Sequence, residues 1–199
     1  MTIITCPKPL VWGEFDVPMF GLATDLRGET IRTPAAFCLV MDTHHLWFLA
    51  NHRQPAQIHP QARPGIFKTE LWQHDVAELF LADPVSGRYF EFNLAPNGAW
   101  WSCEFTAPRV RAEILEVPMP EVATFSEMAG DGAWLAAMAL PLDLLKARID
   151  FGLRTRGNVA MILESPAQKF LSASDLSGGE PDFHQPARFE EIIFMALPE

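Results

Sequence analysis

A chain of 199 residues with 49% hydrophobic and 20% charged residues is long enough to bury a substantial core and too apolar for disorder, so a single globular domain over residues 1–199 is expected. The formal charge of −10, with no basic patch to offset it, repels nucleic-acid phosphates and anionic lipid, and neither is expected as a partner. The longest apolar run, Ala133 to Leu140, falls far short of the roughly 20 residues needed to cross a bilayer, and the N-terminus lacks the pattern of an export signal, so no membrane helix and a cytoplasmic location are expected.

Residues 1–15, with Pro7, Pro9 and Trp12, read as an extended arm, and Phe15 to Leu26 as a strand of mixed pattern. Ala35 to Met41 and Leu46 to Ala50 are apolar on both faces and flank the turn Asp42-Thr-His-His, which predicts a hairpin inside a two-sheet sandwich. From Asn51 to Lys68, three prolines and no periodicity predict a long surface loop that delivers Leu71-Trp72 as one wall of a site. His44, His45, His52 and His59 are spaced along this region in a way that matches no metal site.

The stretch Trp72 to Trp101 carries the functional signal. It predicts three antiparallel strands, Asp75 to Leu81, Tyr89 to Leu94 and Ala99 to Phe105, joined by Asp-Pro-Val-Ser-Gly and Pro-Asn-Gly turns. Alternation assigns Ala77, Leu79, Leu81, Phe90, Phe92, Leu94, Trp101, Cys103 and Phe105 to the core face. It assigns Val76, Glu78, Phe80, Tyr89, Glu91, Asn93, Trp100, Ser102 and Glu104 to the other, with Trp72 and His74 in phase. Carboxylates, an amide and indoles on one face suit a polyhydroxylated ligand, whose C–H faces stack on Trp while its hydroxyls bond the polar groups. Glu78 and Glu91 can equally be solvated residues on the wet side of a sheet.

Farther along, Val110 to Val117 alternates as a strand, with Arg109 and Arg111 read as solubilising. Met119 to Phe125 reads as a connection, Trp134 to Leu140 as a strand, and Pro141 to Ala147 as a short helix with Pro in its first turn. Asn158 to Glu164, Phe170 to Ser174 and Glu190 to Met195 complete the strands. Asp175, Glu180 and Asp182 form an oxygen-rich loop of a kind able to hold Ca²⁺, but the spacing is not that of an EF-hand. Cys6, Cys38 and Cys103 are odd in number and unpaired in spacing, so no disulfide or zinc site is expected, and Cys38 and Cys103 read as core residues. The sum is an all-β, antiparallel two-sheet β-sandwich with one short helix.

Five blocks carry a resemblance: Leu71-Trp72, Asp75-Val-Ala-Glu78-Leu-Phe80, Tyr89-Phe-Glu-Phe-Asn93, Pro96-Asn-Gly-Ala-Trp-Trp101 and Pro181-Asp-Phe-His184-Gln-Pro-Ala-Arg-Phe189. In order and spacing they resemble the DOMON-like domains related to family 9 carbohydrate-binding modules. That resemblance implies a sugar site to which Trp72 and, six residues on, Glu78 belong. It also implies an Arg where this chain has Glu91, and a second clamping Trp near Phe170-Leu171, at Leu171.

The expected function is non-catalytic binding of a carbohydrate or other small polar ligand. Trp72 and Trp100 serve as stacking surfaces and Glu78, Glu91 and Asn93 as hydrogen-bonding groups, while His184 either lines the site or ties its loop to the sheet. No cofactor, metal or catalytic residue is expected. Three alternatives stay open. A glycoside hydrolase would use Glu78 and Glu91, with Cβ atoms roughly 5 Å apart if the two are cross-strand neighbours. A haem or redox-binding DOMON domain would need axial Met or His ligands. The third is a protein-interaction module.

Overall fold

The structure, a computed structural model, describes residues 1–113, 118–176 and 180–196. Its strands are β1 (Thr2–Thr5), β2 (Phe20–Thr24), β3 (Thr30–Met41), β4 (His45–His52), β5 (Val76–Ala82), β6 (Tyr89–Leu94), β7 (Trp100–Ala107), β8 (Val110–Arg111), β9 (Ala123–Met128) and β10 (Trp134–Pro141). The helix α1 (Leu142–Ile149) precedes β11 (Arg156–Leu163), β12 (Lys169–Ser172), β13 (Glu190–Glu191) and β14 (Ile193–Ala196). One sheet runs β14-β1-β3-β4-β10-β9, with β2 also on β3; the other runs β12-β11-β5-β6-β7-β8, with β13 on β11.

The result is a two-sheet sandwich with one short α-helix. Its sheets are antiparallel except at β1, which runs parallel to both β3 and β14. Parallel neighbours need a long crossover, and residues 6–19 supply it by running across the outside of the first sheet. There Leu10, Trp12, Phe15, Val17 and Met19 pack on Val40, Trp47 and Leu49.

Between the sheets, alternation sends Leu39, Phe48 and Met138 from one side against Leu79, Phe92 and Met161 from the other. Each such side chain, fully removed from water, contributes about 1.5–3 kcal/mol. The outer face of the second sheet is also covered, by residues 58–72, Leu176 and residues 180–189. Val76, Phe80, Tyr89, Trp101, Phe105, Ala160 and Ile162 are buried there.

Several elements depart from expectation. The third strand of the central meander has the opposite phase: Leu94 pairs with Trp100 and Asn93 with Trp101. Directly paired residues project to the same side of a sheet, so Trp100 joins Leu94 in the inter-sheet core and Trp101 stands beside Asn93. The register is fixed by the turn, where Ala95 N–H donates to the Ala99 carbonyl (2.8 Å) around a three-residue Pro-Asn-Gly loop. Residues 123–125, expected as the end of a connection, instead open the edge strand β9, which pairs with β10. Of the stretch 110–117, only Val110–Arg111 is a strand, and residues 114–117 lie outside the described residues, as do 177–179 of the oxygen-rich loop.

Candidate functional site

The outer face of the second sheet holds a cavity of about 300 Å³. Strand register explains its floor. Across β12, β11, β5, β6 and β7 one row reads Ser172, Ala160, Glu78, Asn93, Trp101; the next reads Asn158, Phe80, Glu91, Cys103 from β11 to β7. The preceding row carries Phe170, Ile162 and Val76. Glu78 thus faces Asn93 directly, and Glu91 faces Phe80. The two carboxyls are diagonal neighbours, a relation in which strands hold residues roughly 7–8 Å apart. They are not the opposed pair on which the retaining-hydrolase alternative rested.

Aromatic side chains raise the walls. Trp72 arrives on a short 3₁₀ turn, Leu71–Gln73, whose Leu71 is buried. The loop before it is anchored by Asp75: Gln57 N–H (3.1 Å) and Ser165 N–H (2.8 Å) donate to its carboxylate, and its own N–H donates to the Gln57 carbonyl. The indoles of Trp72 and Trp101 meet edge to face with centroids 5.6 Å apart. Phe105, Phe170 and Phe183 complete the apolar lining. The position beside Leu171 is therefore filled from the same strand: Leu171 pairs with Met161 and sinks into the core, while Phe170 faces the cavity.

Polar groups occupy the floor and rim. Glu78 is 3% exposed, and no hydrogen bond or ion pair reaches it among the described residues. Burial, then the negative charge of Glu91, lifts its carboxyl well above the ordinary range, with Arg109 opposing. Burial pushes Glu91 up to about 7, against the Asn93 amide, Arg111 and Arg109. Asn93 lies beside Glu91, yet neither of its amide atoms meets hydrogen-bond geometry with a protein partner. The indole N–H of Trp101 is likewise buried without a partner.

His184 both lines the cavity and ties its loop to the sheet. The Arg109 N–H donates to Tyr89 Oη (3.1 Å), and the same hydroxyl is hydrogen-bonded to His184 Nδ1 (2.7 Å). His184 Nε2 faces a Glu91 oxygen at 3.6 Å, an arrangement that suits the tautomer with hydrogen on Nε2. Burial, and then Arg109, lowers the His184 value to about 4 against Asp182, so the ring is neutral at neutral pH. Burial raises Tyr89 to about 12 and keeps the phenol protonated. Arg109 itself donates to Asp182 (2.8 Å), and the Arg111 guanidinium lies 5.5 Å from the Trp101 ring centroid.

Of the residues expected in the site, Trp72, Glu78, Glu91 and His184 line this cavity, and Asn93 stands in its floor row. Trp100 does not, because its ring is in the core against Phe67. Ser102 and Glu104 share that reversed phase, and Glu104 is held on the far side by Arg88 and Arg148. Trp101, Phe105, Phe170, Phe183, Arg109 and Arg111 are lining residues that alternation alone did not select. Counting outward from the Pro-Asn-Gly turn pairs Trp101 with Asn93.

No family model matches the sequence, and a search of curated proteins finds no match. Solved structures do match. A Bacteroides uniformis protein provisionally described as carbohydrate-binding superposes with a TM-score of 0.69 at 15% identity, covering 97% of this chain and 99% of its own. A family 9 carbohydrate-binding module from Caldicellulosiruptor kristjanssonii in complex with glucose gives 0.64 at 14% identity, covering 100% and 98%. The same kind of module from that organism with cellotriose gives 0.63 at 17%, covering 100% and 95%. The fold is that of family 9 carbohydrate-binding modules. At these identities the likeness to family 9 modules speaks for the architecture alone, and the ligand must be argued from the cavity.

Proposed function

We propose that the chain is a non-catalytic binding domain for a mono- or oligosaccharide held in the cavity on the outer face of the second sheet. The observation that carries this reading is the buried Glu78 carboxyl, without a protein partner, on a floor enclosed by Trp72, Trp101, Phe105 and Phe170. An unpaired buried polar group costs about 1–3 kcal/mol, which a ligand hydroxyl offsets by bonding it. Aromatic walls supply the apolar surface that a pyranose C–H face needs. A volume of about 300 Å³ fits a ligand of one or two rings. The glucose and cellotriose complexes of the Caldicellulosiruptor modules support the same ligand class.

Titration with a panel of mono- and oligosaccharides, followed by tryptophan fluorescence and calorimetry, tests this. A saturable change is expected for at least one sugar, and Trp72→Ala should weaken it by about tenfold or more. No response to any sugar up to millimolar concentration would end the reading.

A further inference from the structure

The cavity holds two carboxyls on one floor. Glu78 and Glu91 are 3% and 5% exposed and stand diagonally on adjacent strands. Among the described residues no hydrogen bond or ion pair reaches Glu78, while Glu91 has the neutral His184 ring at 3.6 Å and the Asn93 amide beside it. Two cations are near, but both are engaged: Arg109 bonds Asp182 at the rim, and Arg111 lies over Trp101. Among the described residues no hydrogen bond or ion pair joins the Arg109 guanidinium to Glu78 or Glu91. The two acids therefore share a hollow whose lining guanidiniums, Arg109 and Arg111, are turned toward Asp182 and the Trp101 ring and only partly offset their charge.

Burying unpaired carboxylates is costly. In the empty cavity the cost is reduced by protonation, since burial lifts both groups out of their ordinary range. An ammonium group could take the place of those protons. It is also a multiple donor, which suits acceptors on two adjacent strands, with the Asn93 side chain directly opposite Glu78.

We infer that the ligand carries a protonated amine, an amino sugar being the class that fits, with its ammonium lodged between the Glu78 and Glu91 carboxyls. This rests on the sugar reading above and adds the charge of the ligand to it.

Calorimetric titration with glucosamine and with glucose, at about pH 7 and low ionic strength, decides the matter. Glucosamine is expected to bind at least about tenfold tighter than glucose. In E78Q and E91Q that ratio should fall toward one, with folding of both variants checked by circular dichroism. Equal affinities in the unmodified chain, or a preference for glucose, would overturn the ammonium and leave the sugar site standing. A preference that survives in the E78Q/E91Q double variant would also overturn it. Binding of neither, with no other saccharide bound, would remove both.

Discussion

Glu78 and Glu91 set how the unliganded protein responds to pH. Their carboxyls hold protons in the fold at values where the unfolded chain has released them, so the folded state binds more protons and stability falls as pH rises through about 7. His184 acts in the opposite sense: it stays neutral in the fold down to about 4, whereas the unfolded ring is charged below about 6.5, so stability rises across that window. The two trends oppose one another below 6.5, and above it the carboxyls act alone. The melting temperature is therefore expected to fall as pH rises from about 6.5 through about 7, and the E78Q/E91Q variant should flatten that slope. The rise of Glu91 from 4.5 to about 7 corresponds to roughly 3 kcal/mol. A flat profile in the unmodified chain would mean that both carboxyls are already ionised in the fold. Tyr89 has a separate role at this scale, because its hydroxyl links the Arg109 N–H to His184. Tyr89→Phe leaves both groups without that partner and should cost about 1–3 kcal/mol in urea unfolding.

Strands turn these side chains into a site, and the adjacent pair Trp100-Trp101 shows how. With one ring on each side of β7, Trp100 belongs to the sandwich and Trp101 to the cavity. Trp100→Ala should cost about 3–5 kcal/mol by opening a core void, whereas Trp100→Phe, milder in volume, should leave ligand affinity unchanged. Trp101→Phe should reduce the fluorescence response to ligand. A response carried by Trp100 would contradict this assignment. The same pair marks what sequence could reveal. Alternation in β5 and β6 identified Glu78, Glu91 and Asn93 as sharing a face, because a strand's own period settles that question. It could not phase β7, where Trp-Trp is apolar in either register and only the hairpin pairing decides. Turn chemistry and apolar runs were enough for the two-sheet sandwich and its one helix. Phe183 escaped notice because it reaches the cavity from a loop distant in sequence; Phe170 was marked only by the resemblance at Phe170-Leu171, and Arg109 was assigned to solvent because a strand arginine usually faces it. The parallel placement of β1 was equally hidden, since a four-residue strand says nothing of its neighbours.

At the scale of the whole molecule, each sheet is covered on its outer face, but by different means. The second sheet carries the cavity and its loops, while the first is closed by the crossing arm, residues 6–19. Trp12 stacks on Phe125 with centroids 5.4 Å apart, and Phe15 meets Trp47 edge on at 4.9 Å. One buried carboxylate fastens that arm: Asp42 accepts from the N–H groups of Leu10 (2.9 Å), His44 (2.7 Å) and His45 (2.7 Å) and from the Trp47 indole (2.9 Å). Burial opposes its ionisation, but these four donors prevail and hold its carboxyl below the ordinary range. Asp42 thus contributes stability that is lost as pH falls, the reverse of the cavity acids. Because arm and cavity lie on opposite sides of the sandwich, stability and binding should separate. Asp42→Ala is expected to cost about 3 kcal/mol in urea unfolding, since hydrogen bonds to a charged acceptor are each worth about 1.5–3 kcal/mol and water replaces some of them. Sugar affinity in the same variant should be unaltered. Removing residues 1–19 goes further, baring Val40, Trp47 and Leu49 and leaving β3 and β14 without β1 between them. Exposed apolar surface beside open strand edges drives association, so that truncated chain should elute as aggregate in size-exclusion chromatography. Loss of affinity in Asp42→Ala that matches its loss of stability would show the two faces to be coupled through the core.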